Sequence, residues 1–156
     1  MRHEPEEERE EVPPGAGRLP LRLVLEADFH AVRRALVEAL AAIAHLPLTE
    51  EERGTLEIVL AEALNNVVEH APGACEIEVR IRCAGRTLRC TIIDDGAPAQ
   101  ADPWAHVARP CLREPSDGGF GCFLISALAR EVRYASHEGR NHLSFRIGTE
   151  AGAAMH

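Results

Sequence analysis

Three groups of residues in this sequence carry chemistry by their type and spacing. Glu62, Asn66 and His70 stand four apart within one polar–apolar segment. On a helix, at about 100° per residue, Asn66 and His70 fall roughly 40° and 80° round from Glu62. The apolar residues of the segment centre at about 130° on the same wheel, so the three polar groups form a row along one edge of the buried face. A half-buried Asn or Glu needs a partner, because an unpaired polar group costs about 1–3 kcal/mol and a charge costs more. A cation is one such partner: an Asn carbonyl oxygen together with phosphate oxygens suits Mg²⁺. A solvated helix edge is the alternative.

Asp94 closes the run Thr91-Ile92-Ile93-Asp94-Asp95-Gly96. A carboxylate at a strand end beside a glycine can accept a hydrogen bond from an exocyclic amine in a cleft. Asp-Gly is also ordinary turn chemistry. The third group is Gly118-Gly119-Phe120-Gly121, just before an apolar helical pattern. Glycines let backbone approach a phosphate, and the free N–H groups of a helix start attract anions. A plain hinge uses the same residues.

The flanking sequence supplies the elements that position these groups. Leu19, Leu21, Leu23 and Leu25 alternate with Pro20, Arg22, Val24 and Glu26, a strand with one buried face. Asp28 is placed to cap a helix carrying Val32, Leu36, Leu40 and Ile43. Thr49 and Glu52 form a capping box for a second helix, striped by Leu56, Val59, Leu60, Ala63, Leu64 and Val67. Pro72 and Gly73 stop it near Ala71. Cys75, Ile77, Val79, Ile81 and Cys83, then Leu88, Cys90 and Ile92, mark the dry face of a hairpin turning at Ala84-Gly85. Residues 95–119 hold four prolines and no period, the pattern of a functional or mobile loop. A third helix is expected from about Gly121, then strands at about 132–137 and 142–148 joined across Gly139. Strands and helices do not alternate, so a doubly wound fold is excluded. The order β-α-α-β-β-loop-α-β-β predicts an α+β, two-layer sandwich: one mixed, mostly antiparallel sheet with three helices on one face.

Composition sets the limits. The 156 residues suit one domain, expected over 18–148, and 46 % hydrophobic content suffices for a core. Residues 1–17 read as a solvated acidic arm, in which Glu4, Glu6, Glu7, Glu8, Glu10 and Glu11 face only Arg2 and Arg9. Residues 149–156 read as a short tail. A net charge of −8 argues against direct nucleic-acid binding and against docking on anionic lipid. All 17 basic residues are arginine. The absence of lysine excludes a Walker-A loop, a eukaryotic-type kinase site and Schiff-base chemistry. No apolar run approaches the roughly 20 residues of a membrane span, and the N-terminus lacks the apolar stretch of a signal peptide. Five cysteines without a Cys-x-x-Cys pair fit a reduced, cytoplasmic protein.

Taken in order, the three groups resemble the boxes of the anti-sigma-factor serine/threonine kinases of the bacterial stress and sporulation type. That family lies within the histidine-kinase, gyrase and MutL-like ATPase superfamily. The resemblance runs from about Leu19 to Ile147. Glu62 to His70 is similar to the N box, Asp94-Asp95-Gly96 to the adenine-reading box, and Gly118 to Ile125 to the second glycine box. Gly139-Arg140-Asn141-His142-Leu143 resembles the closing hairpin. The resemblance implies a Bergerat-type ATP-binding fold and explains how ATP is held without lysine.

It also implies roles. Asn66 ligates the Mg²⁺ that bridges the phosphates, and Glu62 is the general base that takes a proton from a substrate Ser or Thr. Asp94 bonds the adenine amine, and Gly96 lets the base approach. Gly118, Gly119 and Gly121 cradle the phosphates, and His70 buttresses the site. Residues 97–117 form a lid from which Arg109 or Arg113 reaches the γ-phosphate. Two features depart from the family pattern: Pro98 replaces a common second glycine, and Glu69 lies about 20° from Glu62 as a rival base. The implied activity is ATP- and Mg²⁺-dependent phosphorylation of an anti-anti-sigma (STAS-type) partner by a homodimer that also binds a sigma factor. The alternative is an ATP-gated binding regulator without phosphotransfer. No histidine-kinase dimerisation helices or gyrase-type transducer domain are present in the sequence.

Overall fold

A computed structural model describes residues 21–71, 73–97 and 119–148. Strand β1 (Leu21–Glu26) leads into helices α1 (Phe29–Ala42) and α2 (Glu50–His70). A hairpin of β2 (Glu76–Ala84) and β3 (Thr87–Asp94) follows, then helix α3 (Gly119–Leu128) and the strands β4 (Arg130–His137) and β5 (Arg140–Ile147). The five strands form one sheet in the order β1-β2-β3-β5-β4, and every neighbouring pair is antiparallel. The expected element order holds; the mixed component of the expected sheet is absent among the described strands.

Local chemistry sets the helix ends. The Asp28 carboxylate accepts from the Ala31 N–H at 2.8 Å and starts α1. Thr49 caps α2 by accepting from the Glu52 N–H at 3.1 Å. The return arm of that box is a side-chain bond, Thr49 hydroxyl to Glu52 Oε1 at 3.2 Å. Arg53 ties the α1–α2 connection by donating to the carbonyls of Ile43 and Leu46.

All six predicted stripe residues of α2 are buried, and they pack on Ile77, Val79, Ile81, Leu88, Cys90, Ile92, Leu143, Phe145 and Ile147 of the sheet. This is the core, and its helices α1, α2 and α3 lie against β1, the β3/β5 centre and β4. Truncating a fully buried stripe residue such as Leu60 costs about 2–5 kcal/mol. Cys83 and Cys90 are free thiols inside it, and burial pushes Cys90 up to about 12, so it packs as a small apolar group.

Three local expectations shift. The β2–β3 turn falls on Gly85 and Arg86, one residue later than predicted. Cys75 precedes β2 and is exposed, so it is not on the dry face. Helix α3 begins at Gly119 rather than near Gly121. The β4–β5 turn does cross Gly139; Glu138 and Gly139 both have positive φ (51° and 75°), the pairing that a two-residue primed turn demands. Leu19, Pro20, the predicted arm, the C-terminal tail and all of the expected 97–117 lid except Ala97 lie outside the described residues.

Glu78 breaks the alternation of β2: it points to the outer face yet is buried. Its carboxylate bonds Arg22 and Arg80 (2.9 Å) and lies 3.9 Å from Arg140. Burial raises a carboxyl, but the bonds from Arg80 and Arg22 outweigh it and hold Glu78 below the usual carboxylate range. A lowered folded-state pKa stabilises the fold above the unfolded-state value, and that stability is lost as pH falls through the folded value. Glu78→Gln is therefore expected to destabilise by about 1–3 kcal/mol at pH 7 and to flatten the acid limb below pH 4. Denaturant midpoints from pH 7 to pH 3 check this; parallel wild-type and variant curves would show that Glu78 carries no such linkage.

Candidate nucleotide site

The carboxyl end of β3 and the C-terminus of α2 meet at one corner of the sandwich. Asp94, the last residue of β3, points to the helix side, where it is 7 % exposed. Its Oδ1 accepts from the Gly96 N–H at 2.9 Å and from the Asn141 side-chain amide at 2.9 Å. Among the described residues Oδ2 accepts no hydrogen bond, and it is not a sealed, orphaned atom. A carboxylate fixed through one oxygen with the other open suits recognition of an N–H donor.

Asp95 has a different task. Its carboxylate accepts from the N–H groups of Cys75 (2.8 Å) and Glu76 (3.1 Å), and these bonds hold it below the usual carboxylate range. It anchors the start of β2 to the end of β3. The two adjacent acids are thus divided between a turn lock and the corner held with Gly96 and Asn141.

Asn141 organises the corner. It is buried at the start of β5, directly opposite Asp94 in the ladder. Its amide nitrogen also lies 3.2 Å and 3.3 Å from the carbonyls of Gly96 and Ala97. Its oxygen accepts from Tyr134 at 3.0 Å and from Ser136 at 2.8 Å. The sequence singled it out only as part of a closing hairpin. Its partners come from β3, the turn after it and β4, and only the strand register brings them together.

Gly96 packs against the end of α2. A Cβ there would meet Ala71 Cβ and Asp94 Oδ1 at 3.0 Å and Ala74 Cβ at 3.2 Å. The alanine contacts have no free rotor to move, so the carboxylate or the helix end must give. Gly96→Ala is expected to displace the Asp94 carboxylate, weaken ATP binding at least tenfold and destabilise by about 1–3 kcal/mol. Calorimetry paired with thermal melts checks this; unchanged affinity would separate this turn from the nucleotide site.

On α2, Glu62 and Asn66 are half-buried at the edge of the core stripe. Glu69 and His70 are exposed and pair with each other at 3.4 Å. The two glutamates are close on the wheel but differ in burial, and only Glu62 sits at the edge of the packed interior. His70 is placed at the helix end, with its imidazole engaged by Glu69. Helix α3 packs on α2, and its first residues Gly119 and Gly121 lie in the turn whose N–H groups have no partner within the helix. Gly118, Arg109 and Arg113 lie outside the described residues. Among the described residues no cluster of three or more His, Cys, Asp or Glu side chains is set to hold a metal. No described helix is long and apolar enough to cross a membrane.

Comparison with known proteins adds to this geometry. The model of the histidine kinase-like ATPase domain matches residues 25–147. Over 98 residues the chain is 35 % identical to the serine/threonine-protein kinase BtrW of Bordetella bronchiseptica, covering 59 % of this chain and 68 % of that protein. Over 129 residues it is 23 % identical to the serine-protein kinase RsbW of Bacillus subtilis, covering 78 % and 79 %. The crystal structure of the RsbU and RsbW domains of Rv1364c from Mycobacterium tuberculosis shares the fold, with a TM-score of 0.59 and 18 % identity. That likeness covers 86 % of this chain and 34 % of the other, so the chain spans about a third of that structure.

Proposed function

The chain belongs to the histidine kinase-like ATPase family, and from that premise we propose that it is an ATP- and Mg²⁺-dependent serine/threonine protein kinase acting as an anti-sigma factor. Its substrate would be a small STAS-type anti-anti-sigma protein, its second partner a sigma factor, its working unit a homodimer, and its setting the cytoplasm. The observation that carries the nucleotide site is the corner at Asp94: a buried carboxylate held through Oδ1, with Oδ2 open beside a glycine where a Cβ would crowd Ala71, Ala74 and the carboxylate at 3.0–3.2 Å.

In this proposal Asp94 accepts the adenine amine through Oδ2, and Gly96 leaves room for the ring. The donor set fits a magnesium ion carried in with the nucleotide: the Asn66 amide oxygen is a hard ligand, and phosphates supply the rest. Bound Mg²⁺ supplies neutralisation of the phosphate charge in the loose transition state. Glu62 accepts the proton of the attacking Ser or Thr hydroxyl, and its half-buried place favours it over exposed Glu69. The first N–H groups of α3, at Gly119 and Gly121, bind phosphate oxygens without lysine. By the family resemblance Gly118 and Arg113 would also contact phosphate oxygens, and His70 flanks the end of the row.

The test is incubation of the chain with γ-labelled ATP, Mg²⁺ and the STAS-type protein encoded beside it. Label on a partner Ser or Thr, lost when Mg²⁺ is chelated, is the expected result. Nucleotide binding with no transfer would overturn kinase activity and favour an ATP-gated binder.

A further inference from the structure

The outer face of the sheet, which no described helix covers, carries eight arginines against Glu26, Glu76, Glu78 and Glu131, a net charge opposite to that of the whole chain. Outward positions in successive strands line up in rows. One row reads Arg22, Arg80, Thr91, Ser144 and Arg133 across β1, β2, β3, β5 and β4. The next reads Arg82, Arg89, Arg146 and Arg130 across β2, β3, β5 and β4. Arg140 lies at the far end of β5 on the same face, so eight of the chain's 17 arginines lie on it, although the net charge is −8.

Like charges directly opposite in a ladder destabilise it. Here Arg22 faces Arg80, Arg82 faces Arg89, Arg89 faces Arg146, and Arg146 faces Arg130. Glu78 offsets Arg22, Arg80 and Arg140, and Glu131 offsets Arg146 at 3.0 Å. Arg89, Arg130 and Arg133 are exposed and form no ion pair among the described residues. The field is felt at His142 in the adjoining row: burial first, then His137, Arg80 and Arg140, hold its imidazole below the ordinary value. A face that keeps so many facing arginines calls for an anionic occupant.

We propose that this face is the docking surface for the chain's own acidic arm, residues 4–11. The arm holds six glutamates against one arginine and is the densest acidic run in the sequence. It enters the fold through β1, whose Arg22 begins the first arginine row. The ten residues from Glu11 to Leu21 reach at most about 33 Å. Five strands at about 4.8 Å spacing span about 19 Å, so every row is within reach. Tethering supplies the arm at an effective concentration of about 1 mM. Contacts between exposed charges of this kind are weakened by salt.

The experiment uses the full chain and a fluorescein-labelled peptide of residues 1–17 as probe, read by anisotropy at low salt. The arm-neutral chain carries Glu→Gln at positions 4, 6, 7, 8, 10 and 11. With a peptide Kd of about 100 μM, a competing arm at about 1 mM weakens probe binding about tenfold. The arm-neutral chain is therefore expected to bind the peptide about ten times more tightly than wild type. Adding Arg89→Gln and Arg133→Gln, at exposed positions outside the nucleotide site, is expected to weaken that binding at least tenfold, with a circular-dichroism melt that is not lowered. Equal probe binding by wild type and the arm-neutral chain overturns the proposal. So does a single-stranded oligonucleotide that binds both chains equally through Arg89 and Arg133, because the occupant is then a nucleic acid. A dimer seen by sedimentation in wild type and lost in the arm-neutral chain also overturns it, placing the arm on a second copy.

Discussion

Glu62→Gln is expected to leave ATP affinity within about twofold of wild type and to lower phosphotransfer by about 10²–10⁴-fold. The substitution keeps size and hydrogen-bonding shape but removes the proposed proton acceptor. Glu62 sits half-buried at the edge of the α2 stripe, so its carboxylate is held by a helix packed on the sheet. In phosphoryl transfer the protein's work is positioning and charge placement, and loss of the base leaves both in place. Single-turnover transfer from pre-bound ATP separates this step from binding. Glu69→Gln is the control, because Glu69 is exposed and paired with His70; it should retain near-normal transfer. Equal transfer by Glu62→Gln and wild type would refute the base assignment, and loss on Glu69→Gln alone would move it to Glu69.

Asp94→Asn is the second large effect, and its direction follows from who already holds the side chain. Gly96 N–H and the Asn141 amide both donate to Oδ1. An asparagine at 94 keeps its oxygen there, which turns its NH₂ to the open Oδ2 position. Two donors then face each other at the proposed adenine contact. The loss is about 2–3 kcal/mol, or roughly 30- to 150-fold in ATP affinity. Inosine triphosphate presents an oxygen at the same place, so the variant is expected to bind it better than wild type does. Calorimetry with both nucleotides on both proteins checks the pair of shifts. Unchanged ATP affinity in the variant would contradict the adenine contact.

The sequence was most legible where structure is local. A cap is a contact over three residues, so Asp28 and Thr49 were visible, and the period of 3.6 exposed the whole stripe from Leu56 to Val67. The hairpins followed from alternation, with the turn at Gly85 misplaced by one residue because Ala84 still pairs with Thr87. What the sequence hid depends on register. Glu78 sits in an alternating strand like any wet-face residue, and its burial comes from arginines on β1, β2 and β5. Asn141 has no local mark of a buried hub, since its partners belong to β3, its turn and β4. The arginine rows are equally silent in one dimension. Within the candidate site, Asp94 and Gly96 carry a local mark, a strand end followed by glycine, while the division of labour between Asp94 and Asp95 shows only in the structure.

The most direct measurement is a calorimetric titration of the wild-type chain with ATP, with Mg²⁺ and with Mg²⁺ chelated. One nucleotide per chain, bound more tightly with the ion present and less tightly by Asn66→Ala only when it is present, is the predicted result. A cooperatively folded sample that releases no heat with millimolar ATP, or that binds it identically with and without the ion, contradicts a pocket built from Asn66 and Asp94.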